Sequence, residues 1–305
     1  MIKKATSGRG TTQFVPFKDG YMDEHGIEPH DPDLYRHDSI AALVEGFDQV
    51  GEDDVSHFGR HGWLAIDHAF SPEEIASAVD GFQHLASGLH PDYDRIQYEA
   101  EARDRIDSLG VEERQDAVRK LGSFVDFEPR LQSLASHPKL LEIVARIVGT
   151  PDLNMFQDMA LVKPPRIGRE KPWHQDCAYF NIPPDTPVVG VWIALDEVTL
   201  ENGCMHVLDY GHQAGPQIHF LRRDWQICDT DTKDLHQGEH PIVAVPLAPG
   251  GCLLFSGLLP HGTPQNHTDQ RRRALQFHYR PAATVETSEE ERLEVFGSEG
   301  KDVEC

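Results

Sequence analysis

From about residue 154 the chain breaks into short β-rich runs: NMFQDMALVK, VVGVWIALD, CMHVLD, HPIVAVPL, GCLLFSG and RALQFHYR. Pro, Gly, Asn or Asp punctuates them. Runs this short, rich in β-branched and aromatic residues and cut by turn formers, suit strands rather than helices. Many short strands leave many open edges, and a sandwich or jelly roll is how such chains dispose of them. Asn202-Gly203 is the strongest hairpin signal present, since both residues tolerate positive φ.

The first half reads differently. Residues 1 to 35 are polar and predict an irregular arm. HDSIAALVEGFDQVG predicts a short helix and GWLAIDHAF a strand. In SPEEIASAVDGFQHLASGL, Ser71 is placed to cap a helix, Pro72 to occupy its first position and Glu74 to complete a capping box. Ile75, Val79 and Phe82 follow at helical spacing. Residues 93–120 are highly charged and partly helical in character, and HPKLLEIVARIVG predicts a helix ended by Gly149. Residues 36–150 thus read as a largely helical region, 151–282 as a β core and 283–305 as an acidic tail, solvated or frayed. No linker divides them, so residues 1–305 are expected to form a single domain.

Hydrophobic residues make up 39% of the chain, enough for a globular core. No run approaches the length of a membrane span, and MIKKATSGRGTTQF lacks the apolar stretch of a signal peptide. The five cysteines form no C-x-x-C pair and read as small core residues, which fits a reducing cytoplasm. With 28 basic against 51 acidic residues the formal charge is -23, which disfavours nucleic acid, anionic membranes and acidic carriers as partners. Composition leaves the oligomeric state open.

Within WHQDCAYF, His174 and Asp176 stand one residue apart. In a strand such residues point to one side and can converge on one ion. H-x-D alone is weak evidence among 18 histidines. His261, in LLPHGTPQNHTDQRRRALQFHYR, supplies a third ligand. Two histidines and one carboxylate suit iron(II) and leave positions open. Three arginines follow, Arg271 to Arg273. A solvated charge run is the plain reading. A carboxylate clamp is the sharper one, and strand alternation allows Arg272 to face opposite Arg271 and Arg273.

Three segments, VKPPRIGREKPWHQD, VWIALDEVTLENGCMHVLDYGH and HGTPQNHTDQRRRALQFHY, resemble in their order the phytanoyl-CoA dioxygenase family of Fe(II)/2-oxoglutarate oxygenases. The likeness spans roughly residues 118 to 280 and is loose in the N-terminal third. It implies a mostly β protein with flanking helices, a double-stranded β-helix of jelly-roll or cupin-like form. It implies His174, Asp176 and His261 as iron ligands and catalytic centre. Arg272, eleven residues beyond His261, matches the 2-oxoglutarate arginine, and Thr263 the nearby hydroxyl. Trp192 and Met159 match cosubstrate-contacting positions, Lys120 an upstream lysine, and Gln157 is a further candidate for that pocket.

The implied reaction consumes 2-oxoglutarate and O2, releases succinate and CO2, and hydroxylates an unactivated C–H bond of a small molecule; ascorbate is expected to help in vitro. Related halogenases replace the carboxylate by a small residue, so Asp176 favours hydroxylation or another oxidation. Asp209-Tyr210-Gly211-His212 stands where the family often has Pro-Gly-Ser-His, which leaves substrate choice open. The net charge favours a small neutral, zwitterionic or cationic substrate over a coenzyme A thioester. The alternatives are a cupin-type metalloenzyme that needs no cosubstrate and a catalytically inactive binding module of the same fold.

Overall fold

The structure is a computed structural model that describes residues 32–221, 228–230 and 240–298. In chain order the strands are β1 (Ser39–Ile40), β2 (Val44–Glu45), β3 (Trp63–Asp67), β4 (Ile96–Tyr98), β5 (Val118–Gly122), β6 (Leu153–Lys163), β7 (Lys171–His174), β8 (Val189–Ala194), β9 (Met205–Leu208), β10 (His219–Leu221), β11 (Cys228–Thr230), β12 (Ile242–Val245), β13 (Cys252–Ser256), β14 (His261–Thr263) and β15 (Arg272–Pro281). An eight-stranded sheet runs β2-β3-β13-β8-β15-β6-β5-β4, and a five-stranded sheet runs β1-β12-β9-β14-β7. Together they form a jelly roll, and β10 and β11 pair separately. The β-rich runs from 154 to 280 all become strands. Among the described residues no helix is long and apolar enough to cross a membrane.

The central strand β15 shows why the large sheet is stable. Leu275, Phe277 and Tyr279 alternate onto its outer face and join the main core. That core is closed by α2 (Pro72–Ala86), through Ile75, Ala78, Phe82 and Leu85, and by α4 (Pro129–Ala135) and α5 (Pro138–Val148). The capping box of α2 forms as expected: Ser71 Oγ accepts from the Glu74 N–H at 3.3 Å, and Glu74 Oε2 from the Ser71 N–H at 2.8 Å. Gly149 ends α5 at φ 83°, where a side chain would be strained. Cys177, Cys204 and Cys252 are buried and free, as core residues should be.

Three local expectations fail. HDSIAALVEGFDQVG is no helix: it supplies β1 and β2 and a 3-10 turn. The edge of β12 takes its backbone instead, with the Asp38 and Ala41 N–H groups on the Ile242 and Ala244 carbonyls. Asn202-Gly203 turns the chain but makes no hairpin, since β8 and β9 lie in different sheets. Its glycine is needed because a Cβ there would strike the Pro264 carbonyl and the Lys163 side chain. Nor is the acidic end wholly solvated or frayed: Glu289–Phe296 form α6, capped by Ser288, and Phe296 is 2% exposed. Residues 36–150, expected to be largely helical, also contribute β1 to β5. The irregular arm expected over residues 1–35 lies outside the described residues up to 31; a 3-10 turn covers Pro32–Tyr35.

Candidate active site

Residues directly opposite in paired strands share a face. The pairing of β15 with β6 and β8 therefore arranges the barrel interior in rows. His278 lies opposite Gln157 and Gly190, Gln276 opposite Met159 and Trp192, Ala274 opposite Leu161 and Ala194, and Arg272 opposite Lys163. Lys120, half-buried on β5, is opposite Leu161. The alternation that turned Phe277 outward turns Gln276 and His278 inward.

At one end three ligand groups converge. β7 ends at His174, and Asp176 opens a 3-10 turn. The H-x-D pair is therefore not carried on one strand, although its side chains do meet. His261 begins β14, directly opposite His174. Asp176 Oδ1 lies 3.3 Å from His174 Nε2 and 3.6 Å from His261 Nε2. The other ring nitrogens donate to backbone carbonyls, His174 Nδ1 to Pro172 at 2.7 Å and His261 Nδ1 to Leu259 at 2.8 Å. This fixes the tautomer that leaves each Nε2 lone pair facing Asp176. Burial pushes His174 down to about 3 and lowers His261 too, which favours neutral rings of the kind a metal can bind. Burial alone would raise Asp176, but the surrounding histidines, His261 and His278 foremost, hold it well below the ordinary carboxylate range.

The two oxygens of Asp176 differ. Oδ2 accepts from Gln276 Nε2 at 3.0 Å and from His278 Nε2 at 2.8 Å. Oδ1 is buried without a hydrogen-bond partner. An unpaired anionic oxygen facing two imidazole lone pairs is costly without a cation between them. The set thus fits a divalent metal, and its ligand types suit iron(II). Glu45, Asp67 and His68 also lie close together, but at the surface.

The other end is cationic. Arg272 is 2% exposed, and its Nε has no partner. Its Nη1 makes a long contact of 3.4 Å with the Leu161 carbonyl, and its guanidinium lies 5.2 Å from the centre of the Trp192 ring. Burial lowers its pKa only to about 10, so it stays charged. Its neighbours point away: Arg271 Nε binds Asp116 at 2.7 Å, and Arg273 binds both oxygens of Asp196 at 2.9 and 2.6 Å. Thr263, two residues past His261, is buried. Between the ends, Ala274 and Ala194 contribute only methyl groups. The arrangement sets groups able to hold a metal at one end and a carboxylate at the other.

The fold therefore brings His174, Asp176 and His261 together, sets Arg272 against Trp192, and places Met159 and Gln157 in adjacent interior rows. Gln276 and His278 were missed by sequence reasoning. Their signal was strand alternation, which puts Gln276 and His278 on the same face as Arg272.

A family model described as "Phytanoyl-CoA dioxygenase (PhyH)" matches residues 58–274. A Danio rerio protein, "Phytanoyl-CoA dioxygenase domain-containing protein 1", is 25% identical over 76% of this chain and 90% of its own length. A Caenorhabditis elegans homolog of that protein is 27% identical over 75% and 82%. Among solved structures, EctD from S. alaskensis with 2-oxoglutarate and 5-hydroxyectoine superposes with a TM-score of 0.63 at 21% identity, covering 78% of each chain. SnoK, a non-heme alpha ketoglutarate dependent carbocyclase from nogalamycin biosynthesis, gives 0.61 at 20% identity over 81% of this chain and 90% of that one. At such identities these likenesses speak to the fold.

Proposed function

This chain belongs to the phytanoyl-CoA dioxygenase family, and on that premise we propose that it is a cytoplasmic Fe(II)- and 2-oxoglutarate-dependent dioxygenase that hydroxylates an unactivated C–H bond of a small metabolite, releasing succinate and CO2. The observation that carries the reading is a pair of buried, unsatisfied groups facing one interior: Asp176 Oδ1 and the Arg272 Nε–H. One asks for a cation and the other for an anion.

His174, Asp176 and His261 would hold the iron, which when bound supplies the redox chemistry with dioxygen. Arg272 would bind the far carboxylate of 2-oxoglutarate by charge-assisted hydrogen bonds, with Thr263 adding a hydroxyl. Ala274 and Ala194 would line the cosubstrate's chain with methyl groups. Trp192 and Met159 would flank it and exclude water, with Gln157 and Lys120 completing the pocket wall. Gln276 and His278 orient Asp176 so that Oδ1 faces the metal.

The deciding experiment measures succinate release from 2-oxoglutarate with Fe(II) and ascorbate across acyl-CoA thioesters, amino-acid derivatives and other small metabolites. Substrate-stimulated release is expected, with the substrate neutral, zwitterionic or cationic. Substrate oxidation that is independent of 2-oxoglutarate would replace this reading with a cupin-type enzyme. Absence of both iron binding and turnover would leave a binding module.

A further inference from the structure

We propose that the C-terminal helix α6 is a strap that positions Asp176, with Arg292 as its positioning residue. The role at Asp176 rests on the metal centre proposed above. Asp176 opens a turn of only four residues, Asp176–Tyr179. So short a turn has few bonds of its own: the Ala178 N–H reaches Gln175 at 3.1 Å and the Phe180 N–H reaches Cys177 at 3.2 Å. Outside help comes from the Gly257 carbonyl, which accepts the Cys177 N–H at 2.9 Å, and from α6. Arg292, 7% exposed, donates from Nη1 to the Ala178 carbonyl at 2.6 Å and from Nε to Asn181 Oδ1 at 2.9 Å. Just before the helix, the Thr287 N–H donates to the Asn181 carbonyl at 3.0 Å. Phe296 closes the far end of the strap, buried with Cys177, Ala178, Phe180 and Ile182.

The same helix reaches the other flank of the ligand. The Phe296 ring meets His219 edge-on at 5.9 Å. His219 Nε2 accepts the Gln175 N–H at 2.9 Å. So α6 holds the residues after Asp176 directly and reaches those before it only through His219, while Gln276 and His278 fix its carboxylate from inside. Losing the guanidinium would leave a carbonyl of the ligand turn without its donor, and the turn would be free to rotate Oδ1 out of line. The strap lies beyond residue 274, where the match to the family model ends.

The test uses the full chain, metal-free, with two readouts. Hydrogen exchange of the amides in residues 176–182 reports on the turn, and Co(II) titration with its visible absorption bands reports on the site. Arg292→Leu is expected to speed exchange in 176–182 and to weaken Co(II) binding by about tenfold, the scale of losing a supporting contact behind a metal ligand. Arg292→Lys should recover part of both effects. Glu294→Gln, exposed on the same helix, should change neither. If Arg292→Leu does not fold, Asn181→Ala removes one acceptor and should show the same two effects at smaller size. Unchanged exchange and unchanged Co(II) affinity in the folded variants would overturn the strap, even where thermal stability falls. A wild-type chain that binds no Co(II) would instead overturn the metal reading.

Discussion

The two sheets of the barrel divide the labour at the site unequally. The large sheet has β15, ten residues long, buried on both faces between the helix-backed core and the barrel interior. The small sheet is thin: β14 has three residues and β7 four. Its outer face is covered by a minor cluster of Leu34, Trp173, Leu208 and Ile242, with the Trp173 Nε1–H tied to the Leu34 carbonyl at 2.9 Å. Yet His174 and His261 belong to the thin sheet, and Asp176 to the turn after it. The thick sheet contributes the groups that hold: Gln276 and His278 on Asp176, and Arg272 beside Trp192. Ligands on short strands can be brought close together, and their orientation is then set by a rigid neighbour.

That division can be broken at either sheet. The largest effect should come from the thin one: His174→Ala is expected to abolish Fe(II) binding and succinate release while leaving the fold intact, checked by metal titration and circular dichroism. On the thick sheet, Phe277→Ala should cost about 3–5 kcal/mol of stability in urea unfolding, because the cavity forms in a close-packed core. Arg272→Ala should raise the 2-oxoglutarate requirement on the order of tenfold to a hundredfold, as loss of a charge-assisted bond implies. Arg271→Ala and Arg273→Ala should change it little, since those side chains are paired with Asp116 and Asp196. Equal effects at all three would point to a diffuse field. Gln276→Leu should lower Co(II) affinity by about tenfold with a small change in stability, and full affinity would show that His278 alone suffices to hold Asp176. Smallest should be Ile242→Val on the outer face of the thin sheet, about 0.5–1.5 kcal/mol in the same unfolding assay.

Local physics wrote some of this molecule openly. Ser71, Pro72 and Glu74 specify a helix start wherever they fall, and Gly149 a helix end, because capping depends on a few adjacent backbone groups. The strands from β6 onward are legible for a similar reason: each carries its own apolar run and its own turn residues. Among the arginines, a period of two separates the middle one from its two neighbours, and the family resemblance marks it out by its spacing from His261.

Other features depend on partners distant in the chain. Whether HDSIAALVEG becomes helix or strand depended on the open edge of β12, some 200 residues on, where the Ile242 N–H also finds the Asp38 carboxylate. Asn202-Gly203 carries a hairpin signal, and only the crossing between sheets made it a corner. Gln276 and His278 acquire their role because β15 passes beside the turn of Asp176. Charge alone gives residues 287–298 the look of a solvated end; Arg292 and Phe296 find their partners only once Ala178 and Ile182 are folded beneath them. Sequence by itself determined the candidate ligand types, the strand periods and the caps, since those reside in the residues themselves and their neighbours. The tertiary structure decided which oxygen of Asp176 is held and which is left unpaired, because that depends on hydrogen bonds from donors a hundred residues away.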